Sequence, residues 1–331
     1  MLALESAFCL SAMKLNNSPV TQHQYNDHTF FLKRDDQLHS HFCGNKARKF
    51  MKLLEDEHPE TTTLISYGSA QANSLFSLSA LAKIKGWTLE FYVDHIPQWL
   101  QERPIGNYRG AIDLGAKVIS VKETGLELHP QQYIEQVRQP NSECIVLPEG
   151  GRSQLSEYGV KQLAMEILSW TRFENKRDFV VALPAGTGST ALYLYKHLKL
   201  HSIPVLTCAC VGGIEYLTQQ FNELGEIDHP QILPLKAKHH FGKLYQQDYQ
   251  TWLDLQEQTD VEFDLLYDPL MWQCLKQWQQ DNPTKTIIYI HQGGILGNES
   301  MLPRYQRKYP EMSISNTETK TKTKTKTNAS W

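Results

Sequence analysis

The sequence contains no apolar run near the roughly 20 residues that a membrane-spanning helix needs, so no span is expected. It also lacks a basic excess: the formal net charge is −3, which argues against nucleic acid as an obligate partner. Cysteine is sparse and scattered. Cys9, Cys43, Cys144, Cys208, Cys210 and Cys274 form no disulfide framework, and Cys208-x-Cys210 by itself is not a zinc pattern. Free thiols in a reducing cytoplasm and no metal site are expected. The opening MLALESAFCLSAMK carries Glu5 and no basic leader, so a signal peptide is not expected. Nucleotide signatures are missing too, since neither G-x-x-x-x-G-K nor G-x-G-x-x-G occurs at a strand-to-helix turn.

The 331 residues are enough for a sizeable core and as a prior suggest two domains. Short apolar runs alternate with helical patterns. TTTLISYG (61–68), TLEFYVD (88–94), AKVISV (116–121), ECIVLPEGG (143–151), DFVVALPAG (178–186), IPVLTCACVGG (203–213) and KTIIYIHQGG (285–294) read as strands. Between them, 72–86, 107–115, 159–170 and 190–198 have helical spacing, and HSHFCGNKARKF (39–50) places Lys46 where a helix would begin. Strands alternating with helices imply α/β architecture with parallel sheets, whose ligands sit at the carboxyl ends of strands. The ending NTETKTKTKTKTNASW has little to bury, so 314–331 is expected to be a disordered Thr/Lys-rich tail.

Three segments carry chemistry. In DFVVALPAGTGSTALYLY, Gly186 and Gly188 would let the backbone approach an anion, and Thr187, Ser189 and Thr190 add hydroxyls at a helix start. The alternative is a turn that binds nothing. In GNKARK, Lys46 stands beside Arg48 and Lys49, whose charge would lower its pKa, or it is a solvated lysine in a basic turn. In GSAQANS (68–74), a strand passes into a helix whose free amides would suit a carboxylate, or form only a cap.

Taken in order, KRDDQLHSHFCGNKARK (33–49), GSAQANS, LPEGG (147–151), TGST (187–190) and HQGG (291–294) resemble the motifs of a pyridoxal-phosphate enzyme family. That family groups 1-aminocyclopropane-1-carboxylate (ACC) deaminase with D-cysteine desulfhydrase. The resemblance covers about residues 30 to 297. It implies the two-domain tryptophan-synthase-β fold (fold type II), with pyridoxal 5′-phosphate in the cleft. Residues 52–158 would form the smaller domain, and 1–51 with 159–313 the larger. It further implies Lys46 as the lysine that condenses with the cofactor and moves the Cα proton. Asn73 would partner the ring oxygen, Gly186 to Thr190 would hold the phosphate, and Gln71, Ala72 and Asn73 would meet the substrate. A homodimer acting on a small amino acid is the family's form.

Three departures bear on the reaction. Ala72 stands where the family has a catalytic serine. Met271 and Trp272, in YDPLMWQCL, align with a ring-stacking tyrosine and the residue facing the pyridine nitrogen. Gln292 replaces a frequent Thr or Leu. ACC has no Cα hydrogen, and the missing serine and tyrosine count most against its deamination. β-Elimination from a D-amino acid such as D-cysteine, giving pyruvate, ammonia and sulfide, is therefore expected. A cofactor-binding carrier or regulator is the second reading. A nucleotide-binding domain is the third, and it leaves the lysine motif unexplained.

Overall fold

The computed structural model describes residues 15–174 and 178–312. The Thr/Lys tail, the first 14 residues and Cys9 lie outside the described residues. Strands β1 (Val20–Tyr25) and β2 (His28–Lys33) form an antiparallel hairpin. Its turn residues Asn26 and Asp27 both take positive φ, as two-residue hairpins require. Then come α1 (Gly44–Glu55), β3 (Thr63–Tyr67), α2 (Asn73–Lys85), β4 (Thr88–Val93), α3 (Gln98–Glu102) and α4 (Gly106–Asp113). They are followed by β5 (Lys117–Ser120), α5 (Pro130–Tyr133), β6 (Cys144–Val146) and α6 (Ser156–Phe173). The rest runs β7 (Phe179–Ala182), α7 (Ser189–Leu198), β8 (Val205–Thr207), α8 (Gly213–Glu223), β9 (Gln231–Ile232), α9 (Gln246–Thr259) and α10 (Asp268–Asp281). It closes with β10 (Thr286–Ile290) and α11 (Asn298–Lys308).

Two sheets result. One has the order β1-β2-β10-β7-β8-β9 and is parallel except for the hairpin; the other, β5-β4-β3-β6, is wholly parallel. The central strands FVVA and TIIYI are buried at every position, because helices cover both faces of the larger sheet. α6 and α7 pack Leu163, Ile167, Leu192 and Leu194 on one face; α9 and α10 pack Trp252, Leu255 and Leu275 on the other. The segment 143–151 pairs as a strand only to Val146. Pro148 has no amide hydrogen to donate, and Gly150 and Gly151 take positive φ in a tight turn.

α1 lies between the sheets. Its Ala47, Phe50 and Met51 join the core of the smaller sheet, while its outer face packs on α6. Arg48, fully buried, fixes that position. It donates to Asp35 at 2.8 and 3.0 Å and to Glu166 of α6 at 2.7 and 2.8 Å, and Lys33 of β2 donates to the same Glu166 at 2.6 Å. Burial alone would raise the Glu166 pKa, but Arg48 and Lys33 outweigh it and lower it. Among the described residues no helix is long and apolar enough to cross a membrane.

Candidate functional site

A cavity of about 430 Å³ opens between the sheets, within the size range of small-molecule sites. Its wall is built from the first turn of α1 and from the loops that follow β3, β7 and β10, where parallel strands end. Lys46, Gln71, Ala72, Asn73, Gly186, Thr187, Gly188 and Thr190 all line it. Ser189 lies just behind the wall, fully buried.

Lys46 occupies the third residue of α1. The helix can start there because Gly44 has φ +63°, and any Cβ on it would lie 1.8 Å from the Gln292 carbonyl oxygen. The Asn45 amide donates to that same carbonyl at 3.0 Å. Asn45 Nδ2 donates to Gln292 Oε1 at 3.0 Å, and Gln292 Nε2 donates to the Pro184 carbonyl at 2.8 Å. Gln292 thus ties the start of α1 to the end of β7. Burial lowers the Lys46 amine to about 8, while the charge of Asp264 pulls it back up. The expectation that the neighbouring cations lower it is corrected: burial does so. Arg48 turns away into its ion pairs, and only Lys49 remains close, its own pKa lowered by burial and then by Lys46.

The turn after β7 is an anion cup. Gly188 caps α7 with φ +79°, a position where a Cβ would strike Phe221 and Leu217. Behind it, the buried hydroxyls of Ser189 and Thr190 have no hydrogen-bond partner. Buried polar groups are normally paired, so two orphans at a helix N-terminus mark a place for an acceptor-rich anion. Lys49 supplies the cation. Its Nζ donates to Thr187 Oγ1 at 3.2 Å and to the Gly150 carbonyl at 3.1 Å.

Across the cavity, Asn73 opens α2. Its Nδ2 donates to Asp264 Oδ2 at 2.9 Å, and its Oδ1 accepts from Asn107 Nδ2 at 2.7 Å. The Gln71 and Ala72 amides are taken up by Ser69 within the turn, so they are not the free donors expected there. In the first turn of α2 the Leu75 amide donates to the Ala72 carbonyl at 3.0 Å, while the Asn73 and Ser74 amides have no acceptor among the described residues.

The reading of Met271 and Trp272 is overturned. Asp268-Pro269 starts α10, and helical periodicity then turns both residues into the core of the larger sheet. Trp272 stacks on Tyr289 with ring centroids 4.7 Å apart, and neither residue lines the cavity. The wall instead receives Asp264 and Tyr267 from the loop before α10 and Asp268 from its first residue, none of which the sequence reading singled out. Burial raises Asp264 to about 6, and burial with the Asp264 charge raises Asp268 to about 8. Asp268 accepts from the Tyr289 hydroxyl at 2.6 Å and from the Asp264 amide at 2.8 Å. The signal that was available is the Asp-Pro pair, which marks a helix start and so places the residues just before it in the loop between α9 and α10.

No protein-family model matches the chain. A curated relative from Thermotoga maritima, named "Putative 1-aminocyclopropane-1-carboxylate deaminase", is 22% identical over 283 residues, covering 81% of this chain and 89% of the relative. A solved ACC deaminase homologue has a TM-score of 0.71 at 17% identity, covering 95% of this chain and 99% of its own. The chain resembles the ACC deaminase group. A hydrogen sulfide-producing enzyme from Fusobacterium nucleatum has a TM-score of 0.61 at 14% identity, over 86% of this chain and 97% of its own. The architecture is the tryptophan-synthase-β type that the motifs implied.

Proposed function

We propose that the chain is a pyridoxal-phosphate-dependent lyase or deaminase acting on a small amino acid. The observation that carries this reading is the pairing, in one cavity, of an amine whose pKa burial lowers to about 8 with an anion cup holding two orphan hydroxyls and Lys49. The residues fit the cofactor at both ends. Thr187 to Thr190 and Lys49 would hold its phosphate, Lys46 its aldehyde, and the spare amide hydrogen of Asn73 its ring oxygen. When bound, pyridoxal phosphate supplies an electron sink for the pair left on Cα. The chain's own groups do the rest. Lys46, neutral in a useful fraction near pH 7, takes and returns the Cα proton. The first turn of α2 offers its amides to the substrate carboxylate. Asp264 holds Asn73 in place.

The finer reading is β-elimination from D-cysteine, giving pyruvate, ammonia and sulfide. It needs a Cα proton and a leaving group, and Lys46 serves the first. ACC has no such proton, and Ala72 brings no hydroxyl to the cavity wall. Met271 no longer counts in that comparison, since Tyr267 supplies an aromatic ring at the wall. The names of the relatives, an ACC deaminase and a sulfide producer, support this reaction class. Ala72 also favours a second reading, a carrier that binds the cofactor without turnover. Sulfide release from D-cysteine, measured beside ACC consumption, tests these. We expect sulfide and slower loss of ACC. Faster ACC consumption would overturn the substrate choice, and cofactor binding with neither product would favour the carrier.

A further inference from the structure

One charged part of the cavity wall has no task in the chemistry above. Arg304, on the second turn of α11, lines the cavity beside Ser300 and Met301 while remaining exposed to solvent. Its guanidinium touches only neutral groups, Met301 Sδ at 3.1 Å and the Gly242 carbonyl at 3.4 Å, and has no carboxylate partner among the described residues. The acids deeper in the cavity are engaged elsewhere: Asp264 by Asn73 and the Leu266 amide, Asp268 by Tyr289 and the Asp264 amide. Glu149 stands on the other side, against Gly68. The segment 235–245, which puts Phe241 and Gly242 into the wall, also carries Lys236, Lys238 and Lys243, and none of these three has an ion pair among the described residues. Of these cations only Arg304 lines the cavity, and it brings a planar five-donor fork without a carboxylate partner to the wall.

Position fixes what that fork would meet. Gly297 packs against Asn73, and Arg304 lies seven residues further on, about 10 Å along the helix axis. A substrate whose α-carboxylate rests at the start of α2 leaves Arg304 free for a second group elsewhere on the molecule.

We propose that Arg304 determines specificity by binding a second anionic group, a carboxylate or phosphate, on the side chain of the substrate amino acid. This rests on the pyridoxal-phosphate reading. In the elimination, the Cα proton passes to Lys46 and the Cβ–X bond breaks with its electron pair on X. Water then releases ammonia and the keto acid. Where X is a phosphate joined through oxygen, Arg304 holds the departing group; a carboxylate joined to Cβ through carbon is bound there but does not leave. D-Cysteine carries neither group and would react without reaching the fork.

The test titrates the cofactor-loaded protein with alanine, aspartate and O-phosphoserine, each in both hands, and reads the change in cofactor absorbance. We expect aspartate or phosphoserine of one hand to bind about 10- to 100-fold tighter than alanine, the range for charge-assisted hydrogen bonds. Which of the two gains identifies carboxylate or phosphate. In R304A and in the polar but uncharged R304Q the ratio falls toward one, and in R304K it is intermediate, because lysine lacks the fork. A ratio near one in the unmodified protein, or a ratio that survives both R304A and R304Q, overturns the proposal alone. A preparation that never develops a cofactor band overturns the functional reading beneath it as well.

Discussion

At the scale of single residues, the account turns on what burial does to charge. The Lys46 amine must be neutral to attack an aldehyde, and its pKa near 8 sets when it is. The initial rate of pyridoxal-phosphate uptake, followed by absorbance, should rise about tenfold per pH unit below 8 and level off above it. A rate still rising up to pH 10 would mean that the amine is solvated. Thr190 offers a second test. Its orphan hydroxyl is unfavourable in the cofactor-free protein and useful in the loaded one. Thr190→Val should leave the cofactor-free protein as stable or up to about 1 kcal/mol more stable, yet weaken cofactor binding about tenfold, by denaturation and titration respectively. Equal loss in both would make the hydroxyl a structural cap. Lys46 and the TGST loop were singled out by the family resemblance, since a lysine in a basic turn and a glycine turn are each ambiguous alone; the structure brings both to one cavity wall. Asp264, Tyr267 and Asp268 were not singled out, since acids and a tyrosine in DLLYDPL have no distinctive pattern until the start of α10 is placed.

At the scale of elements, α1 does two jobs that sequence alone presents as one basic turn. Of its cations, Lys46 and Lys49 face the cavity and Arg48 faces Asp35 and Glu166. Arg48→Met leaves Asp35 and Glu166 without their shared guanidinium, and only Lys33 still pairs with Glu166. Breaking a buried pair in this way costs about 3–5 kcal/mol, so denaturant melts should show a loss of that size. A loss below about 1 kcal/mol would mean that the network is solvated. The strands read from apolar runs, such as those at 178–186 and 285–294, form where expected, because two-sided burial demands continuous apolar sequence. The hairpin β1–β2 was missed. Its strands VTQHQY and HTFFLK mix polar and apolar residues at a sheet edge, and only the Asn26-Asp27 turn announces them. The helices α9 and α11 were missed for a related reason: each buries a narrow stripe and shows mostly polar residues.

At the scale of the whole molecule, the arrangement of two parallel sheets with α1 between them explains why motifs more than 200 residues apart in sequence form one wall. Parallel strands end on the same side, so the loops after β3, β7 and β10 converge. That convergence was legible from strand and loop order; the place of Arg304, Phe241 and Gly242 in the wall was not, because neither α11 nor the 235–245 segment carries a motif. The central claim is that the Lys46 amine and the 187–190 cup bind one molecule between them. The most direct measurement is the absorbance spectrum of purified protein mixed with pyridoxal phosphate and then freed of excess. The account predicts a retained band shifted from that of the free aldehyde, reducible by borohydride onto Lys46 and absent in Lys46→Ala. A protein that retains no colour, or a Lys46→Ala variant with the same band, would contradict it.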